Sequence, residues 1–452
     1  MGRVIIVGGG FAGLAAACRL AAGGHRPLLL ERSRRLGGRG GSFRDPATGE
    51  TIDDGHHVLM RCCTATTGFL QRIGAESAVS FQASLKVPIV HGEGRTVLRS
   101  ALLPGALHLA PALLSYRLLT RSQRGSALRA GLALAVTGKK RQEDTTFATW
   151  LSRHRQEQTT MDRLWDPVCI ATLNASASDV SLAAARKVFI DGFLRPGGAD
   201  LGLFTAPLAA ITEAAAHSIA SHRGEVRTAT GVRSIRITGG EIHGVELTDG
   251  TTIRADAVIA AVPPWDLEKM IPSDAGLDGI LTGAAKLHWS PIINVHLWFD
   301  GPVIDDLFFI AVDAPIQAVF DVSRLHRSGW TSSGKDDPTV TPDDVPHVVI
   351  SQSAAKDWVE RTNDEIVKLA VAALGDVAPR TCTARLIRSI VIRRPRATFL
   401  PVPGSSRLRP PAPTPVRGLY LAGDWTATGW PSTIEGAVRS GIGAAARVEA
   451  AP

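Results

Sequence analysis

The opening of this chain allows few folds. Arg3 to Val7 is a short apolar run rich in β-branched residues, Gly8-Gly9-Gly10-Phe11-Ala12-Gly13 follows at once, and an alanine-rich stretch continues to Ala22. Gly23-Gly24 stop that stretch, and a second apolar run, Pro27 to Leu30, ends in Glu31. The pattern is strand, tight turn, helix, strand, which is a βαβ unit. Gly8, Gly10 and Gly13 fall on G-x-G-x-x-G in the setting that motif needs. Gly8 permits the turn, Gly10 lets a pyrophosphate approach the backbone, and Gly13 lets helix and strand close up, while the helix start at Phe11 and Ala12 favours negative charge. Glu31 stands where a carboxylate accepts hydrogen bonds from a ribose diol. The chain is therefore expected to bind a dinucleotide.

Two further signals favour a flavin dinucleotide, FAD, over a nicotinamide one. After Glu31 comes a second glycine-rich loop, Arg32 to Ser42, in which Gly38 gives room and Arg39, with Arg32, offers charge-assisted hydrogen bonds to phosphate. Far along the chain, Gly418 to Asp424 reads as a strand running into a glycine turn, with Gly423 and Asp424 followed by Ser432, Thr433 and Ile434 at the start of a closing helix through Val448. A carboxylate there suits ribityl hydroxyls, and the helix start would face the flavin ring. Between these ends, Glu225 to Val262 alternates like a small antiparallel meander with hairpin signals at Gly239-Gly240 and Asp249-Gly250, closing in a buried strand stopped by Pro263-Pro264. The expected fold is α/β: a Rossmann-like two-dinucleotide FAD domain of the glutathione-reductase type with an interleaved α+β substrate domain. The expected division is 1–85, 205–265 and 405–452 for FAD, with 86–204 a mainly helical, membrane-facing substrate region and 266–404 the substrate sheet and helices. The segments Gly329 to Pro346 and Gly404 to Pro415 read as surface loops.

Composition limits the alternatives. With 452 residues, 44% of them hydrophobic, the chain can bury sizeable shared cores. Five scattered cysteines make no disulfide framework, and a reducing cytoplasm fits them. The glycines arrive too early for a secretory signal, and Ile6 stands where a myristoylation signal wants Ser or Thr. No H-E-x-x-H spacing occurs, so no metal is expected, and no G-x-S-x-G elbow supports a serine hydrolase. The net charge of +8 is unevenly spread. Gly94 to Gln142 holds no Asp or Glu but has Arg95, Arg99, Arg117, Arg121, Arg124, Arg129, Lys139, Lys140 and Arg141. Its uncharged run, Ser100 to Tyr116, is broken by Pro104 and Pro111 and is too short to span a bilayer. Leu113, Leu114, Leu118 and Leu119 with Arg117 and Arg121 suggest an amphipathic helix, either lying on anionic lipid at the inner face of the membrane or capping the fold with solvated arginines. Interleaved aromatics are missing there, so nucleic acid is not an expected partner.

These motifs together resemble the flavin-dependent amine oxidase and phytoene desaturase superfamily. Within it, Asp53 to Leu59, Trp165-Asp166-Pro167 through Leu173-Asn174, and Ala422 to Val438 resemble the squalene-associated desaturase-like family, the hydroxysqualene dehydroxylases. The chain departs from that family's pattern at Asp54 and His56, where members tend to carry Asn and Gln. The resemblance implies FAD contacts at Gly8, Gly10, Gly13, Glu31, Arg39 and Asp424, with Val232 as the backbone partner of the adenine. It also implies an apolar isoprenoid substrate, an external electron donor whose identity stays open, and association with other squalene-synthesis enzymes.

Loss of a hydroxyl from hydroxysqualene needs a proton donor and a dry tunnel. His56, His57 and Glu435 are the candidate acids, each also readable as a structural group, and Glu435 as an orienter of the closing helix. Asp54, Asn174, Trp425 and Trp430 are candidates for the substrate pocket, although tryptophans are mostly core. Two rival readings stay open: oxidative chemistry as a carotenoid desaturase or amine oxidase, and a non-redox isoprenoid carrier on the same fold.

Overall fold

The structure, a computed structural model, describes residues 2–451 apart from 93, 102, 104, 139–143, 195–197 and 327–344. The chain builds on a five-stranded parallel sheet in the spatial order Glu225–Arg227, Leu28–Leu30, Val4–Val7, Ala257–Ala260, Leu419–Leu421. Strands covered on both faces must be apolar on both faces. The runs Val-Ile-Ile-Val, Leu-Leu-Leu and Ala-Val-Ile-Ala are accordingly buried at every position.

One face of this sheet, with Ile6, Leu29 and Ile259, packs on three helices: Phe11–Ala22, Leu208–Ser221 and Ile434–Glu449. The first and last of these come very close, because a methyl group at Gly441 would fall 2.0 Å from the Ala12 carbonyl oxygen. The opposite face, with Ile5, Val258 and Leu421, is covered by an antiparallel meander of Val232–Thr238, Glu241–Leu247 and Thr252–Arg254. The meander is thus shorter than its alternation suggests. Glu225–Arg227 leaves it and pairs in parallel with Leu28–Leu30, because that edge of the parallel sheet offers free backbone partners.

A second sheet has seven strands, in the order Leu386–Phe399, Trp289–Phe299, His347–Ser353, Ala318–Asp321, Phe308–Ala311, Lys86–His91, Gly94–Arg99. The hairpin of residues 86–99 therefore belongs with strands from the second half of the chain. Alternation divides the two faces. Ile293, Val295, Leu297 and Phe299 pack on the helix Asn363–Val377, which starts from a capping box of Thr362 and Glu365. Ile292, Asn294, Phe308, Ile310 and Phe320 look the other way, into a cavity shared with the parallel sheet.

The third side of the cavity is helical, including Ala110–Leu114, Arg121–Val136, Phe147–Arg153, Asp166–Leu173 and Leu182–Lys187 around a core of Phe147, Trp165, Cys169 and Phe189. The leucine-rich stretch is not one amphipathic helix. The first helix stops at Leu114, and Tyr116, Leu118 and Leu119 turn inward onto Ile89 and Val312, with the Tyr116 hydroxyl donating to the Arg163 carbonyl at 2.7 Å. A new helix then starts from the Thr120 capping box. The exposed apolar residues here are Leu103, Leu107, Leu114, Leu132 and Val136. Residues 139–141 of the basic stretch and most of the 329–346 loop lie outside the described residues. Residues 404–415 are not a free surface loop: Leu421 donates to the Ala412 carbonyl at 2.7 Å and Ala427 to that of Pro410 at 2.8 Å, so the segment brackets the strand that ends at the flavin turn.

Candidate functional site

The two glycine loops meet at the carboxyl end of the parallel sheet. Gly37 N–H donates to the Gly9 carbonyl at 2.8 Å, and Gly10 and Gly37 form an isolated bridge. The crowding explains the residue type: a methyl group at Gly13 would fall 1.9 Å from the Gly8 oxygen, and Gly8 itself has φ 108°. At Gly10, by contrast, a methyl group would meet nothing nearer than 4.0 Å, which leaves open space over the backbone at the start of the helix. Glu31 is fixed in place, its carboxylate accepting from Gly9 N–H at 2.6 Å and Ser33 N–H at 2.8 Å. Arg32, its neighbour, pairs with Asp266 at 3.1 Å.

The far end of the chain comes to the same place. Arg39 of the second loop pairs with Asp424, and the Ser432 hydroxyl donates to that carboxylate. Thr433 caps the closing helix by accepting from Gly436 N–H at 3.1 Å, and Ile434 begins it. Arg409, not singled out in the sequence, clamps this turn by donating to the carbonyls of Asp424 and Thr426 at 2.9 and 2.5 Å.

The two glycine loops and the Asp424 turn open into a cavity of about 1340 Å³. One end is lined by Gly8, Gly10, Phe11, Ala12, Glu31, Arg32, Gly38, Arg39, Val232, Gly423, Asp424, Ser432, Thr433 and Ile434. The other is apolar, with Leu85, Val87, Ile89, Leu98, Leu113, Leu128, Leu164, Phe189, Phe193 and Phe308. Gly13 sits behind the lining, in the helix–strand contact. The cradle at Gly10 and the hydroxyl-binding pair Asp424 and Ser432 fit a long molecule with a pyrophosphate at its middle and a polyol arm, which is what FAD presents.

The segment Asp54 to His57 lines the same cavity. Asp54 is buried, pairs with Arg394 and lies 3.4 Å from Arg35. Its carbonyl accepts from the Asn294 amide at 3.0 Å. His57 Nδ1 donates to the Gly55 carbonyl at 2.9 Å, a bond that sets the tautomer and turns Nε2 toward Gly40 of the second glycine loop. His56 packs its ring 4.4 Å from that of Phe320 and keeps a buried Nε2 without a hydrogen-bond partner. Burial pushes both imidazoles below their usual range, His56 furthest, with His326, His57, His296 and His347 adding to its depression. For His57 the Gly55 carbonyl and Asp54 partly offset the effect.

Glu435 is placed differently. Its carboxylate accepts from Ala65 N–H at 3.1 Å, Thr66 N–H at 2.7 Å and the Thr66 hydroxyl at 2.8 Å, and Arg439 donates to it at 2.6 Å. It anchors the start of the helix Thr64–Arg72, with both carboxylate oxygens taken up by donors from that helix and from Arg439. Asn174 is likewise occupied: its amide bonds Ser290, Thr398 and Ala354, stapling the helical side to the second sheet from a left-handed position, φ 55°. Trp425 is fully buried and donates to the Val262 carbonyl at 3.0 Å. Trp430 stands at the cavity wall between Lys187 and Arg439, 4.6 and 4.7 Å from its ring centre. Among the described residues no cluster of His, Cys, Asp or Glu could hold a metal ion.

The fold and this cradle define a class, the FAD-dependent oxidoreductases, in which FAD is bound across a parallel sheet beside a substrate cavity. The chain belongs to the flavin containing amine oxidoreductase family, whose model matches residues 11–449. It is 25% identical to the 15-cis-phytoene desaturase of Solanum lycopersicum, over 97% of this chain and 76% of that one. It is 29% identical to a hydroxysqualene dehydroxylase of Sinorhizobium fredii, over 98% of this chain and 97% of the relative. Among solved structures, an oxidoreductase from Methanosarcina mazei matches with a TM-score of 0.74 at 18% identity, covering 99% and 100% of the two chains. Putrescine oxidase bound to putrescine matches at 0.71 and 17%, covering 100% and 99%. The last two likenesses concern the fold.

Proposed function

We propose that the protein is a hydroxysqualene dehydroxylase, which removes the hydroxyl of hydroxysqualene to give squalene and water. Bound FAD, in its reduced form, supplies the hydride for this exchange. The chain's own part is to exclude water, hold the allylic carbon at the junction of the two cavity ends, and deliver one proton to the departing hydroxyl. The observation that carries the reading is that one cavity wall holds two adjacent imidazoles, His57 with Nε2 toward Gly40 of the glycine loop and His56 with its ring 4.4 Å from that of Phe320. His57, its Nδ1 proton held by the Gly55 carbonyl and its Nε2 turned toward the glycine loop, is the better placed to take a proton on Nε2 and pass it to the departing hydroxyl. The end-to-end match with the dehydroxylase relative supports the same reading.

A cationic amine fits this wall poorly. Of the acidic groups in the lining, Asp54, Asp191, Asp266, Asp313, Asp424 and Glu435 carry a basic partner, Glu31 accepts from two backbone amides and Asp162 from the Gln158 amide at 2.7 Å, while Arg393, Arg394 and Arg396 also reach the lining. The test is anaerobic incubation of dithionite-reduced protein with hydroxysqualene, followed by product analysis. Squalene is expected. Unchanged alcohol, together with conversion of phytoene or an amine by the oxidised protein, would move the assignment to oxidative chemistry.

The substrate is lipid-soluble, and the reading includes its delivery from an anionic membrane surface. Leu132 is 51% exposed yet lines the cavity, so the hydrocarbon end reaches the surface there, and Leu103, Leu107, Leu114 and Val136 of the same helical region are exposed as well. Arg117, Arg121 and Arg129 of the same stretch are exposed, and each basic group near anionic lipid contributes roughly 1 kcal/mol.

A further inference from the structure

The cavity-side face of the seven-stranded sheet continues past Asn294 into a group of histidines that the site so far leaves unused. In the pairing of Trp289–Phe299 with His347–Ser353, Trp298 lies opposite His347, and His296 is the next residue on that face. His296 Nδ1 and His347 Nε2 are 3.0 Å apart, and both rings are buried. Beyond them, His347 Nδ1 lies 3.6 Å from a carboxylate oxygen of Glu50, whose side chain is 39% exposed. A small side-chain adjustment or one bridging water closes that distance. At the inner end, His296 Nε2 is buried without a partner, as are His56 Nε2 and His326 Nε2, and the His326 ring lies 6.4 Å from that of His56.

The arrangement is rigid. Trp298 stacks on His347 with ring centres 4.1 Å apart and an interplanar angle of 11°, and the Arg388 guanidinium lies 4.5 Å over the Trp298 ring while pairing with Asp45. Two imidazoles joined nitrogen to nitrogen pass protons without either ring holding a charge for long. A proton received on His347 Nδ1 releases the one on Nε2 to His296 Nδ1, and His296 then releases its own from Nε2.

We propose that Glu50, His347 and His296 form a relay that carries protons from solvent through the sheet to the His56–His57 corner of the cavity. The proposal rests on the dehydroxylation reading, in which each turnover consumes one proton: the O–H bond forms, the C–O bond breaks, the oxygen leaves as water, and the hydride supplied by the reduced cofactor completes the new C–H bond. The charged and titratable groups around the rings are Arg388, Asp45, His326, His57 and Asp54, and burial beside them keeps His56, His57, His296 and His326 below the usual imidazole range. Imidazoles held neutral in this way are poor proton stores, so an acid at the corner must be reloaded for every turnover.

The test uses the holoenzyme with Glu50→Gln, a change at a half-exposed position, and His296→Gln. In single-turnover reaction of the reduced enzyme, both variants are expected to react about tenfold more slowly, and added imidazole buffer is expected to restore Glu50→Gln but not His296→Gln. A second readout needs no substrate: proton uptake, followed with an indicator dye while an electrode reduces the bound flavin through a mediator, is expected to slow in both variants. Equal uptake rates in wild type and both variants overturn the relay. Slowed uptake in a protein that makes no squalene would uphold the relay and overturn the dehydroxylation reading instead.

Discussion

Glu435 and His57 show how far a side chain's role depends on what surrounds its polar atoms. Glu435 is 1% exposed, and its carboxylate is shared among two backbone amides, a hydroxyl and a guanidinium. Glu435→Gln removes the charge that the part-exposed Arg439 pairs with and weakens the bonds from Ala65 and Thr66, each hydrogen bond to a charged group contributing about 1.5 kcal/mol. The expected outcome is a lower denaturation midpoint with an unchanged pH profile of turnover; a pH profile that loses a limb would return Glu435 to the acids. His57→Gln is expected to do the reverse, slowing turnover by about a hundredfold with little change in stability. The glycines of the first turn were legible in the sequence because their reason is local: strand, turn and helix are consecutive. Arg394, Asn294 and Arg409 were not. Arg394 and Asn294 meet Asp54 through the register of two distant paired strands, Asn294 from 240 positions away along the chain, and no spacing rule reports that. Arg409 is near Asp424 in sequence but sits in a segment whose prolines and glycines read as surface.

The helix Leu208–Ser221 starts at Pro207, which leaves its first amides to side chains of the paired strands Ser42–Arg44 and Thr51–Asp53. Asp53 accepts from Leu208 N–H at 3.0 Å and Ser42 from Ala209 N–H at 2.8 Å, while Ser42 donates to Asp53 at 2.6 Å. Burial is the largest influence on Asp53 and pushes it up to about 6, with Asp54 adding to the rise and the two hydrogen bonds opposing it. The folded state thus holds a proton that the unfolded chain, near the ordinary carboxyl value, releases earlier. Its contribution to stability is present in full below the unfolded value, falls as pH rises toward 6, and is gone above it. In thermal melts, the wild type is expected to lose stability from pH 4 to 6 relative to Asp53→Asn; parallel curves for the two proteins would refute this assignment. At this scale the sequence misled in two places. Glu225–Arg227 was drawn into the parallel sheet by an open edge, and the leucine stretch was broken at Ser115 because Tyr116, Leu118 and Leu119 find more burial against Ile89 and Val312 than along a single helix.

The whole molecule sets a polar, phosphate-binding end against a hydrocarbon-lined end that opens among exposed leucines. No helix among the described residues is long and apolar enough to cross a membrane, so contact with lipid would be made by this rim. Flotation with anionic liposomes is expected to recover the protein at low salt, and Arg117→Gln with Arg121→Gln and Arg129→Gln is expected to weaken recovery, roughly 1 kcal/mol for each charge. Arg124 is left out of that set because it bonds the carbonyls of Leu119 and Leu114 at 2.8 and 2.7 Å and so holds the rim's own shape. Recovery that is equal for the variant and insensitive to salt would remove the membrane from the account.

The close seat of Gly441 on Ala12 also orders events in time. Val4–Val7 and Phe11–Ala22 leave the ribosome first, yet the parallel sheet lacks its outer strand and the first helix lacks its neighbour until Leu419 to Glu449 have emerged. A nascent chain therefore exposes Ala12 and Ala16 and half a cofactor cradle throughout its synthesis. Loading with flavin must wait until translation has passed the closing helix.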